Sequence, residues 1–256
     1  MIRLSDLSPA VPLFAGRHDT MVRACLAGYH GGIWADDPKS PRTAVMVSGD
    51  FTFFGGVPDT LAFREFPWEA AKGYTLLVPP DDAWDALINT WYGADLKRMP
   101  RWTILHEPDV FDKAKLAAYR DALPAPYELR QFDEDLYRQS FQGDWSCDFC
   151  ANFRDWADYR DRGLGFGAVL DGKLAAGVSS YGVFPGGYEL EADTHPDHRR
   201  RGLARACAAA MLLETLSRGL YPAWDAANRI SVSLAESLGY HEGWGYMSYE
   251  IKDPNK

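Results

Sequence analysis

Along this chain apolar residues recur at helical spacing in some stretches and in short continuous or alternating runs in others, and the two patterns take turns. Residues 18–29 carry Met21, Val22, Cys25 and Leu26 on one stripe, which predicts an amphipathic helix. Residues 43–47 and 51–54 read as strands, and Ser48-Gly49-Asp50 between them is a hairpin-like turn. Residues 74–78 form a short apolar strand stopped by Pro79 and Pro80. Residues 81–92 then predict a helix with acidic residues in its first turn, where the helix dipole favours them. A further strand is expected over 101–106 and a helix over 113–122. This rhythm is that of an α/β layer.

Leu123-Pro124-Ala125-Pro126 breaks the pattern and marks the expected boundary between two domains, 1–125 and 126–256. Beyond it, helical periodicity covers 132–139 and 145–159. Strand runs at 165–170 and 173–183 flank Asp171-Gly172, a dipeptide suited to a tight hairpin turn. Pro185-Gly186-Gly187 leads into a strand over 188–194. A helix over 203–218, a strand over 221–225, a helix over 228–238 and a strand over 247–251 complete the order. A mixed sheet with helices on both faces is expected for this half.

Bulk properties narrow the function classes. The chain has 256 residues, 46% hydrophobic and 25% charged, the balance of a globular protein with a sizeable core. A net charge of −9 argues against a nucleic-acid surface, which needs a basic face, and is compatible with cationic amines. No apolar run approaches the ~20 residues that span a bilayer, and no signal peptide is apparent. Four cysteines without a framework pattern fit a reducing compartment, so the cytoplasm is expected.

One segment carries most of the chemistry. Thr194-His195-Pro196-Asp197-His198-Arg199-Arg200-Arg201-Gly202-Leu203-Ala204 joins a strand to a helix. The first helical turn leaves backbone amides without partners and adds partial positive charge, which together hold a phosphate or pyrophosphate. Gly202 has no Cβ to obstruct a close approach, and arginine forks match phosphate oxygens. The pattern Arg199-x-x-Gly202-x-Ala204 resembles the coenzyme A pyrophosphate signature of the GNAT superfamily of N-acetyltransferases. Further on, Asn228-x-x-Ser231-x-x-Leu234-x-x-x-Leu238-Gly239-Tyr240 is similar to that superfamily's closing helix. The runs Ser179-Ser180-Tyr181, 189–196 and 221–226 resemble the branch around the zwittermicin A resistance acetyltransferase. That branch implies a GNAT fold in the C-terminal half and a degenerate copy of it in the N-terminal half.

The resemblance implies acetyl-CoA as cofactor and a small-molecule primary amine as acceptor, attacked directly in a ternary complex. Residues implied to hold the cofactor are Ala192, Asp193, Thr194, Arg199, Arg200, Arg201, Gly202, Leu203, Ala204, Asn228 and Ser231. The pantetheine arm is expected between the strand end 192–194 and Trp224-Asp225, where a strand N–H can polarise the thioester carbonyl. For the general base, the family's usual position falls on Tyr188, a departure; Glu191 is the first candidate and Glu189 the second. A water chain acting as base, with these carboxylates structural or substrate-binding, stays open. The family's general-acid tyrosine on the closing helix corresponds to Ala235, so Ser231, Tyr181 or a water is left for that role, unless the thiolate leaves without a dedicated acid. Asn228 is expected to cap its helix and touch pantetheine.

Other features read as structure. Cys147-x-x-Cys150 is a single pair, short of the four ligands of a structural zinc site, and is expected to be core cysteine on one face of the 145–159 helix; no metal is expected. Gly163-Leu164-Gly165-Phe166-Gly167 precedes a strand where a dinucleotide turn needs a helix. Two other functions fit the same motifs. One is a non-catalytic acyl-CoA sensor, motivated by the missing tyrosine; the other is a tandem-GNAT acyl or aminoacyl transferase. The sequence does not fix the acceptor or the oligomeric state.

Overall fold

The computed structural model describes residues 1–71 and 74–252. In chain order the elements are β1 (Ile2–Arg3), α1 (Thr20–Leu26), β2 (Gly32–Ala35), β3 (Thr43–Ser48), β4 (Phe51–Gly56), α2 (Thr60–Glu65), β5 (Thr75–Val78), α3 (Asp82–Tyr92), β6 (Lys97–Ile104), α4 (Lys113–Asp121) and β7 (Glu128–Gln131). Then follow α5 (Glu134–Ser140), α6 (Trp156–Arg162), β8 (Gly165–Leu170), β9 (Lys173–Phe184), β10 (Gly187–Thr194), α7 (Leu203–Ser217), β11 (Tyr221–Ala223), β12 (Asp225–Ala226), α8 (Arg229–Leu238) and β13 (Glu242–Ile251). The chain forms two compact units, one of residues 1–101 and 245–256, the other of residues 102–244.

The first unit carries a mixed sheet in the order β1-β2-β3-β4-β5-β13. Its neighbours are antiparallel except β4 and β5, which run parallel. A core of Val45, Phe54, Phe63, Trp84, Ile88 and Tyr249 lies under α2 and α3. Helix α3 starts where expected because the Asp81 carboxylate accepts the N–H groups of Ala83 and Trp84, at 3.0 and 2.9 Å.

The second unit carries a mixed sheet in the order β11-β10-β9-β8-β7, antiparallel except for the parallel pair β10 and β11. Helix α7 packs on β8, β9 and β10 and is covered in turn by α4. Being enclosed on both sides, it buries every residue from Ala206 to Leu212, and the alanines keep its neighbours close. The other face of the sheet holds α5, α6 and a cluster of Phe132, Leu136, Phe149, Cys150, Phe153 and Tyr159. Helices thus cover both faces of a mixed sheet, as expected.

Three local expectations are corrected. Residues 145–159 do not form one helix: a short 3-10 turn spans Cys147–Phe149, and α6 begins only at Trp156. Asp155 stands in extended backbone and accepts the Asp158 N–H at 2.9 Å, which delays the helix start to Trp156. Trp145, Phe149 and Phe153 mimic a helical stripe because an irregular segment can bury the same residues. The two cysteines therefore share no helix face: Cys150 is buried, its thiol pushed up to about 12 by burial, while Cys147 is half-buried. The helix expected over 132–139 is one helix that begins at Glu134, because Asp133 caps α5 by accepting the Leu136 N–H at 3.0 Å. The strand expected over 221–225 breaks at Trp224 into β11 and β12.

Candidate functional site

The site grows out of a parting of two strands in the second unit. β10 pairs with β11 only through Gly187–Tyr221, Tyr188–Pro222 and Glu189–Ala223. Beyond that point β11 ends, and the chain turns through Trp224 so that Asp225 and Ala226 pair instead with Thr103 and Trp102 of β6. Residues 190–194 of β10 keep their ladder with β9 and have no ladder on the β11 side among the described residues. A wedge opens there, with strand amides and carbonyls along one wall. Opposite Glu189 and Leu190 the register with β9 shifts by one, a bulge with Tyr181 as the extra residue. Asn152 holds that bulge by donating to the Tyr181 carbonyl at 2.9 Å.

At the wide end of the wedge lies the turn into α7. Gly202 sits at φ +80°, in the left-handed region, and supplies no side-chain cap to the helix it begins. A Cβ placed there would meet nothing within 4 Å, so the helix start has open space beside it. Leu203 anchors the first turn in the core, whereas Arg199, Arg200, Arg201 and Gly202 are exposed. The three arginines are not equivalent. Arg199 donates to the Thr194 carbonyl at 3.1 Å and lies 3.6 Å from the Asp193 carboxylate. Arg201 donates to the Tyr127 hydroxyl at 3.0 Å and to the Asp197 carbonyl at 3.2 Å. Arg200, at φ +60°, stands outside both sets of contacts. His195 and His198 are turn residues: His195 Nδ1 accepts the Asp197 N–H at 3.3 Å, and His198 Nδ1 lies 2.8 Å from Tyr127 Oη.

The β10 wall is acidic along its length. Glu189 is buried at 6% exposure, and Glu191 and Asp193 are half-buried. Burial pushes the Asp193 carboxyl up, opposed by the Thr194 N–H it accepts at 2.6 Å and by Arg199. The phenols of Tyr221 and Tyr240 are also pushed up, first by burial, with the negative charge of Glu189 adding to it. Glu189 is thus enclosed beside two fixed tyrosines, whose hydroxyls donate to the carbonyls of Leu105 and Pro222. Glu191 lies nearer solvent on the strand next to the open wedge.

Helix α8 closes the other wall. Asn228 caps it by accepting the Ser231 N–H at 3.0 Å. The Ser231 hydroxyl accepts the Trp224 indole N–H at 2.9 Å, which leaves its own proton free to be donated elsewhere. Ala235, where a tyrosine was expected by resemblance, is fully buried. The structure places Glu189, Glu191 and Asp193 on β10, residues 199–204 at the turn into α7, and Asn228 and Ser231 at the start of α8. Sequence reading missed Tyr127 and Asn152, because contacts across elements leave no spacing signal. No group of three or more metal-ligating side chains occurs among the described residues. No helix among them is long and apolar enough to cross a membrane.

Comparison with known proteins bears on this arrangement. The sequence profile of a family described as GNAT acetyltransferase matches residues 11–249. The chain is similar to a GCN5-related N-acetyltransferase-like protein from Streptococcus suis 89/1591 at 34% identity and TM-score 0.88, covering 96% of this chain and 98% of that one. It is 26% identical over 231 residues to the uncharacterized N-acetyltransferase YdfB of Bacillus subtilis strain 168, covering 86% of this chain and 85% of that protein. A GCN5-related N-acetyltransferase from Kribbella flavida shares the fold at 15% identity and TM-score 0.53, covering 84% of this chain and 88% of that one.

Proposed function

Because the chain belongs to the GNAT acetyltransferase family and is a GNAT-type N-acetyltransferase, we propose that it moves an acetyl group from acetyl-CoA to the primary amine of a small molecule by direct attack in a ternary complex. The observation that carries this reading is the wedge between β10 and β11, which leads to an uncapped helix N-terminus facing open space. That cradle suits a pyrophosphate by charge and by room. The amides at Gly202, Leu203 and Ala204 and the charge of Arg199, Arg200 and Arg201 hold it. Ala192, Asp193 and Thr194 orient the pantetheine arm from the strand, with Asn228 and Ser231 opposite. Acetyl-CoA supplies the activated thioester.

Glu191 takes the amine proton as general base in this proposal, and Glu189 is the second candidate. Glu191 is favoured because its carboxylate is half-buried beside the wedge, whereas Glu189 is enclosed next to Tyr221 and Tyr240. Ser231 is the donor to the departing thiolate, since its hydroxyl proton is not used by Trp224. Several carboxylates near the transfer point favour a cationic acceptor. The resemblance to the zwittermicin A resistance branch supports an aminated metabolite or antibiotic as that acceptor. Four unpaired cysteines support the cytoplasm as the compartment. The catalytic machinery is assigned to a domain of residues 126–256, with 1–125 as its partner domain.

Calorimetric titration of acetyl-CoA into the wild type and into Gly202→Glu tests the reading. The variant forces a side chain into a left-handed position and sets a negative charge in the cradle; binding should weaken at least about 100-fold. Failure of the wild type to bind sinks the proposal. Ala235 motivates one other reading, a non-catalytic acyl-CoA sensor, which predicts binding without CoA release from any amine.

A further inference from the structure

The turn that forms the cradle is braced from outside the strand and helix it joins. Tyr127 follows the proline-rich segment 123–126, and its ring is buried at 8% exposure. A buried hydroxyl requires partners, and both of those it finds belong to the cradle turn. Arg201 Nη1 lies 3.0 Å away and His198 Nδ1 2.8 Å away. A guanidinium only donates, so the tyrosine oxygen accepts from Arg201, and its own proton is available to His198 Nδ1. With that donation the His198 tautomer carries its proton at Nε2. The two rings also meet edge to face at 5.6 Å. Arg201 completes the circuit by donating to the Asp197 carbonyl at 3.2 Å.

We infer that Tyr127 is a positioning residue of the anion cradle, its hydroxyl bracing residues 197–201 so that the α7 amides and the Arg200 side chain are aimed at the phosphate; this rests on the acetyl-CoA site proposed above. The backbone gives independent support. Arg200 sits at φ +60°, a left-handed conformation unfavourable for a non-glycine residue. Such a residue persists where its surroundings over-determine it. The ties of Arg199 to Thr194 and Asp193 on one side, and of Arg201 to Tyr127 on the other, do that. Two of the three arginines hold the turn, and Arg200 is left to meet the ligand.

The test is calorimetric titration of CoA and of dephospho-CoA into wild type, Tyr127→Phe, Arg201→Lys and the double variant. Dephospho-CoA keeps the pyrophosphate and lacks the 3′-phosphate. Tyr127→Phe should weaken both ligands by the same factor, about five- to tenfold. The double variant should be no weaker than the weaker single one, since both break one circuit. Because Tyr127→Phe removes no charge, its factor should be the same at about 50 and about 300 mM salt, whereas that of Arg200→Ala should shrink as salt rises. The nitrogen chemical shifts of His198 should report loss of the Nε2-protonated preference in Tyr127→Phe, a signature that general destabilisation would not produce. CoA affinity within about twofold of wild type in a folded Tyr127→Phe overturns the inference. If that variant does not fold, unchanged affinity in Arg201→Lys overturns it, and a five- to tenfold loss there supports it. No binding to the wild type overturns the acetyl-CoA reading and this inference with it.

Discussion

In the first unit β4 runs through α2 into the parallel strand β5; in the second, β10 runs through α7 into the parallel strand β11. Each parallel pair is joined over three positions only, and the leading strand then continues alone on that side among the described residues. What surrounds the end of the leading strand differs. In the first unit a Cβ on Gly56 would lie 2.0 Å from the Arg42 carbonyl, and one on Gly55 would lie 2.7 Å from that of Leu13. The fully buried Trp84 donates its indole N–H to the Gly56 carbonyl at 2.9 Å. The Asp59 carboxylate caps α2 by accepting the Ala62 N–H at 2.8 Å, so a negative charge already occupies the position an anion would need. In the second unit the helix starts with Gly202, uncapped and open. The same topology is a filled core in one unit and, in the function proposed above, a cradle in the other, and the difference lies in a handful of side chains.

The leading strands differ in the same sense. β4 carries Phe51-Thr52-Phe53-Phe54, while β10 carries Glu189, Glu191 and Asp193. The largest effect expected from exploiting this contrast is on turnover. Glu191→Gln should lower kcat by ~10²–10⁴, the worth of a positioned general base, while the Kd for acetyl-CoA stays within about twofold. Glu189→Gln should cost less. If Glu189→Gln carries the loss instead, the enclosed carboxylate is the base and the assignment on β10 reverses. CoA release with an amine found by screening provides the measurement.

A second contrast concerns what stabilises the unit that holds the cradle. Asp158 is buried there and accepts from Arg162 at 2.6 and 3.0 Å and from the Arg154 N–H at 3.0 Å. The Arg162 guanidinium foremost, against the opposing effect of burial, holds its carboxyl well below the usual carboxylate range. A depressed carboxylate contributes stability that is present above its unfolded value near 4 and is lost as pH falls toward the folded value. Asp158→Asn should therefore destabilise the chain by about 1.5–3 kcal/mol at neutral pH. The gap to wild type should close on acidification below pH ~4. Denaturant melts at several pH values test this; a gap that stays constant down to pH ~3 would show that the ion pair is not its source.

How much of this could be read from the chain depended on whether a feature was local. The strand–turn–helix at 188–218, the Asn228 cap and the Asp-Gly hairpin are written in adjacent residues, and they stand where the sequence placed them. The 145–159 segment was misread because burying Trp145, Phe149 and Phe153 satisfies helical spacing without requiring a helix, and Asp155 decided the matter. The likeness of the two crossovers left no sequence repeat, since β4 and β10 share a pairing pattern and no side-chain chemistry. Tyr127 and Asn152 act across 74 and 29 residues of chain respectively, distances over which periodicity says nothing.

The smallest effect distinguishes the two reasons why the first crossover is closed. If the Asp59 carboxylate alone keeps anions away, Asp59→Ala should open a second site and raise the acetyl-CoA stoichiometry from one toward two per chain. The packing argues otherwise. Removing the carboxylate leaves Trp84 bonded to Gly56 and leaves the Arg42 and Leu13 carbonyls against the glycines. The variant should lose about 1 kcal/mol, the worth of an N-cap, and calorimetry should still find one site. A stoichiometry of two would show that charge closes the first crossover, and that the filled core yields to a ligand once the charge is gone.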